Sequence, residues 1–392
     1  MKKILTIIGV ALLSSCVNST KDKDMKLNLF ATMPNLEAGF EKGVSACYAA
    51  VYDNNLYITG GCNFPEKPVT EGGVKRYYKD IFMTTDNGQQ TKVEMRQSLI
   101  ENKQYVIDTS KNNNEWKKIT EMPLSSAYGA NIQYEDTWII AGGMNENGAT
   151  KNVIKINLSD NCSIERLPDL PCAIDNTTGT YADDKIYVVG GNADGKPSNK
   201  IFILDMKDVA GGWQELAAMP SRGRVQPVCA ATPDALFVWG GFSPKDDTGE
   251  AVAYTDGLRY DFKTAAWTTL SDVMAEDEKM TFTGGTMTKI DDNTFLAAGG
   301  VNHKIFTDAI SGRYELISKA DYMHKEPEWY KFNQHLMMYD VKKNEWRPLD
   351  KNQVYARAGA LLLTNEKEIF YIGGELKPGI RTPEIHQLTV NN

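Results

Sequence analysis

Six times along the chain an apolar, β-rich run ends on Gly-Gly: NLYITGG (55–61), TWIIAGG (137–143), KIYVVGG (185–191), ALFVWGG (235–241), TFLAAGG (294–300) and EIFYIGG (368–374). Short continuous apolar runs bounded by glycine predict strands buried on both faces rather than helices. A second pattern returns downstream as YVIDTSKNNNEW, FILDMKDVAGGW, LRYDFKTAAW and MMYDVKKNEW, with IKINLSDNCSI standing in for it in the second unit. Each predicts a strand, an Asp-led turn and a tryptophan that opens the next strand. A third pattern closes the units: WKKITEMP (116–123), IERLPDLP (164–171) and WQELAAMP (213–220), with weaker versions in WTTLSDVM and WRPLD. The last unit offers strands near 356–363, 368–372 and 384–390 but no fourth. LNLFATMP (27–34) has the missing spacing, with Leu27 in the tryptophan place and Phe30 in the leucine place. The N-terminal segment is therefore expected to supply the last strand of the last unit and so remove an exposed sheet edge.

These units resemble the kelch motif, in which each repeat is one four-stranded blade. The resemblance implies an all-β, six-bladed kelch-type β-propeller over residues 25–392, its ring closed by the N-terminal strand. A repeat also accommodates a chain too long for one ordinary core. Antiparallel strands put the loop after each Gly-Gly and the loop leaving each fourth strand on one face. The long irregular stretches fall there: CNFPEKPVTEGGVKRYY after the first Gly-Gly, VNHKIFTDAISGRYELISKADYMHKEPEWYKFN after the fifth, and ELKPGIRT after the sixth. SRGRVQP and CAIDNTTG lie at exits of fourth strands. The middle of the fifth stretch, 304–331, predicts a helical insertion in blade five. With Tyr322, Trp329 and Tyr330 it could form a lid or pack on the side. Binding residues concentrate on such loops over a rigid scaffold.

The chain begins MKKILTIIGVALLSSC. Lys2 and Lys3 precede an apolar core, Ile4 to Leu13, too short to span a bilayer. Leu13-Ser14-Ser15-Cys16 resembles a bacterial lipoprotein signal. That implies a signal peptide at 1–15, lipid on the Cys16 sulfur, a polar tether at 16–24, and a cell-envelope location facing the periplasm or the cell surface. Ordinary secretion with an incidental cysteine is the alternative. Without Lys2 and Lys3 the chain carries 41 basic against 51 acidic residues. Such a balance argues against nucleic acid or another polyanion as the main partner, while leaving room for a small anion in a local basic pocket. Cys47, Cys62, Cys162, Cys172 and Cys229 are odd in number and match no metal spacing, so they read as small buried hydrophobes. His303, His324, His335 and His386 show no zinc-like spacing, and neither metal nor organic cofactor is expected.

GELKPGIRT (374–382) resembles the GE-x-KPG-x-RT motif of the N-acetylneuraminate epimerase family, sialic acid mutarotases built on a six-bladed kelch propeller. In typical members that motif lies mid-chain. Its C-terminal place here, with the long GGCNFPEKP loop near the start, resembles the cyclically permuted branch. Opening a ring at a different loop leaves the blade contacts intact. The resemblance implies an acidic-sugar substrate, Glu375 as general base and Arg381 as its partner. The chemistry suits those side chains. Exchanging α and β anomers of a hemiketal needs a proton taken from the anomeric hydroxyl and one given to the ring oxygen. A guanidinium can grip the substrate carboxylate with two parallel hydrogen bonds. The general acid is left open between water and Glu375 itself. From spacing alone, Glu375 also reads as a solvated loop carboxylate paired with Lys377, and Arg381 as a blade-edge salt bridge.

Arg224 in SRGRVQP, Arg357 in YARAGA, Asn176 in AIDNTTG and Asn63 just after the first Gly-Gly are further candidates for substrate contact, or else for capping loop backbone. Two rival functions remain. A sialidase would need several Asp boxes; TTDNGQQT (84–91) is a single imperfect one. A non-catalytic glycan-binding or scaffolding propeller would have no need of Glu375.

Overall fold

The computed structural model describes residues 25–85, 105–108, 115–247, 249–364 and 369–390. The expected signal, tether and lipidated Cys16 lie outside those residues, as do residues 86–91 of the Asp-box-like stretch. The chain is all-β with few helical turns, and six larger antiparallel sheets organise it.

Sheet one holds Ser45–Tyr52, Asn55–Asn63, Asp80–Thr85 and Glu115–Glu121. Sheets two to five follow in chain order, and their first strands are Ala130–Tyr134, Thr178–Ala182, Val225–Ala231 and Gly285–Asp291. Sheet six runs Leu361–Thr364, Ile369–Ile372, Glu384–Val390 and then Met25–Thr32. The N-terminal strand lies antiparallel on the C-terminal one, with Leu27 opposite Leu388. Leu27 is fully buried, and the Phe30 ring stands edge-on to Phe370 at 5.0 Å. The spacing read from LNLFATMP thus places this segment correctly.

One strand assignment needs correction. Tyr105–Asp108 was expected as the third strand of the first unit, on the strength of its Asp-led turn. Asp80–Thr85 occupies that place instead, between Asn55–Asn63 and Glu115–Glu121. Tyr105–Asp108 lies parallel to Met25–Lys26-Leu27-Asn28 at the far edge of sheet six. The physical reason is burial. Ile81 and Phe82 are fully buried, so IFM serves the core.

The repeating residues clasp one sheet to the next. Gly60 and Gly61 have φ of 64° and 85°, which glycine adopts without strain. A Cβ on Gly60 would stand 2.6 Å from the Ser126 carbonyl oxygen ahead of sheet two. With that close approach allowed, the Gly61 N–H donates to Ser126 O at 2.8 Å. The same bond joins Gly143 to Ile174, Gly191 to Arg224, Gly300 to Arg357, and Gly374 to Val44. The last of these runs from sheet six to the segment that opens sheet one. The tryptophans make an outer clasp: the indole N–H groups of Trp116, Trp213 and Trp267 donate to Thr32 O, Pro168 O and Ala217 O of the preceding sheets.

The core lies between sheets rather than inside a single layer. Six apolar clusters are each shared by two consecutive sheets, among them one between sheets six and one that packs Phe370 and Ile385 on Phe40, Ile58 and Phe82. Burying such side chains contributes about 1.5–3 kcal/mol each. First strands neighbour one another in order from sheet one to sheet six, and the first strand of sheet six neighbours that of sheet one. Cys47, Cys62, Cys162 and Cys229 are buried free thiols and Cys172 is half-buried. The expected insertion forms helices His303–Ile310 and Lys319–Tyr322 and a 3-10 turn Pro327–Tyr330.

Candidate functional site

At or just ahead of the start of each first strand, one residue sits in the left-handed region: Ala46, Tyr128, Asn176, Gln226, Gly284 and Gly359. Each lies fourteen positions before the Gly-Gly of its own sheet, or fifteen at Gly284, where a register shift at 289–291 adds a residue. Backbone hydrogen bonds link these positions in sequence. Tyr128 N–H donates to Ala46 O, Thr177 N–H to Tyr128 O, Gln226 N–H to Asn176 O, Gly284 N–H to Gln226 O and Gly359 N–H to Gly284 O. Ala46 N–H then donates to Gly359 O at 2.7 Å, so the series returns to its start. The six residues surround the mouth of a cavity of about 130 Å³ lined by the first strands of all six sheets.

Glu375 and Arg381 stand beside that rim, next to the lining residues Gly359 and Ala46 rather than among them. Glu375 pairs through its backbone with Ala358, next to Gly359: its N–H donates to Ala358 O at 2.7 Å, and Ala358 N–H donates back at 2.9 Å. The Pro378-Gly379 turn folds 380–381 onto 375–377 as a short hairpin. The Gly379 N–H donates to Glu375 Oε1 at 2.7 Å and fixes the carboxylate. Arg381 Nη1 lies 3.1 Å from the same oxygen, with side-chain exposures of 4% for Arg381 and 23% for Glu375. The carboxylate can therefore be reached from solvent, while the guanidinium is held from behind. Arg381 Nε donates to Ser45 Oγ at 3.2 Å, and its plane lies 5.0 Å from the Phe64 ring centre. Burial acts most strongly and would lower the Arg381 pKa, but the Glu375 carboxylate together with Cys62 and Tyr128 leaves it raised. Lys377 does not pair with Glu375; its Nζ donates to Lys325 O at 2.7 Å in the insertion.

The other sequence candidates divide. Asn176 is at the rim, where its Oδ1 accepts from Gln226 Nε2 at 2.7 Å. Arg224, Arg357 and Asn63 do not line the cavity and instead cap loop backbone, the second of the two readings of their positions. Arg224 is 1% exposed and donates to Gly240 O and Asp256 Oδ1. Arg357 is equally buried and donates to Gly373 O and Glu384 Oε2. Asn63 is 3% exposed, donates to Gly39 O and Gly43 O, and accepts from the Tyr78 hydroxyl. All three satisfy backbone carbonyls that the glycine-rich turns leave without strand partners, a strong demand in a buried place.

Several rim residues escaped the sequence reading. Tyr128 carries a phenol oxygen 3.3 Å from the Cys62 thiol, which donates to it. Lys75 Nζ stands 5.2 Å from the Tyr128 ring centre and 5.8 Å from that of Phe64. Gln226 completes an amide pair with Asn176. The signal that could have found Tyr128 and Gln226 is the fixed count back from Gly-Gly. The insertion approaches the same rim: its buried Tyr330 clusters with Ala356 and Ala358, and its 3-10 turn neighbours 375–377. Among the described residues no group of three or more His, Cys, Asp or Glu side chains is placed to hold a metal ion.

A carboxylate, a buried guanidinium and a phenol stand together beside a small cavity on a β-repeat scaffold, a combination that can exchange protons with a small ligand. The model of the family "N-acetylneuraminate epimerase" matches residues 167–392, and the chain belongs to that family. The chain is 32% identical over 228 residues to the N-acetylneuraminate epimerase of Haemophilus influenzae (strain PittEE), covering 56% of this chain and 58% of that protein. It is 32% identical over 232 residues to the protein of the same name from Yersinia enterocolitica serotype O:8 / biotype 1B, covering 57% of each. The matches thus span a little under three-fifths of the relatives' length. The solved structure of YjhT superposes with a TM-score of 0.58 at 14% identity, covering 93% of this chain and all of that one, which shows a shared fold.

Proposed function

We propose that the protein is an isomerase that interconverts the α and β anomers of N-acetylneuraminate by opening and reclosing the sugar ring. Glu375 takes the proton of the anomeric hydroxyl, and Arg381, paired with it at 3.1 Å, positions its carboxylate. The observation that carries the reading is the Glu375–Arg381 pair at the rim of the cavity: one member is solvent-reachable and the other sealed, and both lie within the matched family region. A binding protein would gain nothing from a carboxylate at the point where an acidic sugar must approach.

The scaffold reading that goes with it is a six-bladed kelch propeller closed by Met25–Thr32. Its supports are the six sheets, the returning series of rim hydrogen bonds, and the Gly374-to-Val44 clasp. A cyclic permutation fits a family match that starts at residue 167 and ends with the GELKPGIRT motif near the C-terminus. The envelope location remains part of the proposal, through lipid on Cys16. A Cys16→Ala variant should then leave the membrane fraction for the soluble one, and unchanged fractionation would remove the anchor from the account.

The test of the activity is direct. A sialidase releases α-N-acetylneuraminate, and proton NMR follows its conversion to the β anomer with and without the protein. Acceleration above the spontaneous rate is expected; identical decay would leave only a binding role.

A further inference from the structure

The proposed reaction needs two proton-handling groups, and Glu375 accounts for one. Of the six equivalent rim positions, five carry Ala, Asn, Gln or Gly, none of which can exchange a proton with an alkoxide. Tyr128 is the exception. The place is costly for it: its φ is 64°, in a region that Gly284 and Gly359 occupy freely and that costs a side-chain-bearing residue about 1–2 kcal/mol. The phenol oxygen accepts from the Cys62 thiol at 3.3 Å, and Tyr128 lines the cavity. An oxygen that accepts in this way has its own proton left to give.

Resting on the anomer-interconverting reading, we propose that Tyr128 is the proton donor to the sugar's ring oxygen. In ring opening, Glu375 takes the proton of the anomeric hydroxyl, and the electrons of that O–H bond form the second bond of the new ketone. The bond between the anomeric carbon and the ring oxygen breaks, its pair stays on that oxygen, and Tyr128 protonates it. The acyclic ketone then turns its other face to the same hydroxyl. On closure the phenolate takes that hydroxyl's proton as the oxygen attacks, and Glu375 returns its proton to the new anomeric oxygen. Both residues end as they began, with no external acid, base or oxidant. The Lys75 ammonium, 5.2 Å from the ring centre, steadies the phenolate while it lasts, and the Arg381 charge adds to the positive field. Burial first, then the neighbouring Cys62 and Glu375, hold the Tyr128 pKa well above the usual value for tyrosine, so the resting phenol is protonated.

The test compares wild type, Tyr128→Phe and Glu375→Gln in the NMR assay, with substrate binding measured separately by calorimetry. Tyr128→Phe keeps the ring and its contacts and removes only the hydroxyl. A fall in kcat of about 10²-fold with sugar affinity unchanged is expected. Tyr128→Phe at the wild-type rate, with Glu375→Gln inactive, would overturn the donor and leave the isomerase standing. A loss confined to affinity would overturn it equally. No acceleration by wild type would defeat the activity itself. Fluorinated tyrosine incorporated at 128 guards against a folding defect: the alkaline limb of kcat should move to lower pH, and an unmoved limb would count against the donor.

Discussion

Replacing Glu375 with glutamine removes a charge while keeping the shape around it. The new amide oxygen can still accept the Gly379 N–H that now reaches Glu375 Oε1 at 2.7 Å, so the Pro378-Gly379 turn keeps its tie. Two effects then compete in magnitude. The lost general base should slow interconversion by about 10²–10⁴-fold, or roughly 3–5 kcal/mol in the barrier. The lost countercharge leaves Arg381, 4% exposed, without the carboxylate at 3.1 Å. Breaking a fully buried pair costs about 3–5 kcal/mol, but water reaches the 23%-exposed partner, so about 1–3 kcal/mol is the better figure here. That is below the usual stability margin of about 5–15 kcal/mol, and the variant should remain folded at 25 °C. Proton NMR of α-anomer decay gives the rate, and a thermal melt gives the stability. Adding Arg381→Met should restore part of the lost stability and none of the activity. A Glu375→Gln protein that turns over at the wild-type rate would refute proton abstraction by this residue.

Three further outcomes follow from the packing. Arg224→Met should cost about 2–4 kcal/mol in urea unfolding, because it orphans Gly240 O and Asp256, yet leave turnover by the folded protein close to normal; a large kcat loss would return Arg224 to the site. His386 is 6% exposed, and burial together with Arg357 depresses its pKa to about 3. The unfolded chain therefore binds the proton first, and stability present above pH 6.5 should drain as pH falls towards 3. That amounts to about 1.4 kcal/mol per pH unit, partly offset by Glu384 at 4.0 Å, and His386→Gln should flatten this limb of the urea midpoint against pH. Deleting residues 25–34 should uncover the Glu384–Val390 edge and cause aggregation; a monomeric product of wild-type melting temperature would show that the strand is dispensable.

The sequence made the scaffold legible wherever a residue type answers a backbone demand. Gly-Gly recurs because each pair lets one sheet touch the next, and the tryptophans recur because each indole reaches a carbonyl of its neighbour. Tyr105–Asp108 misled for the same reason: it carries the Asp-led turn of the repeat, while Asp80–Thr85 carries only the buried apolar residues. In the site, Glu375 and Arg381 came to notice through the resemblance of GELKPGIRT to the family motif, and the Pro378-Gly379 turn brings them to 3.1 Å. Arg224, Arg357 and Asn63 stayed open between substrate contact and capping of loop backbone because polar residues beside loops suit either, and glycine turns expose carbonyls that demand buried donors. Tyr128 and Gln226 were invisible because the left-handed rim position accepts many residue types and so leaves no mark in a motif.

That tolerance has an evolutionary corollary. The hydrogen bonds that join positions 46, 128, 176, 226, 284 and 359 run through main chain alone, so the side chains there are not committed to holding the molecule together. The residues that carry side chains there can be exchanged, like tiles around a drain, within what a left-handed backbone tolerates, changing what is admitted while the main-chain bonds stay. Preference for one guest over another can drift on this scaffold while its thermal resistance stays where it was.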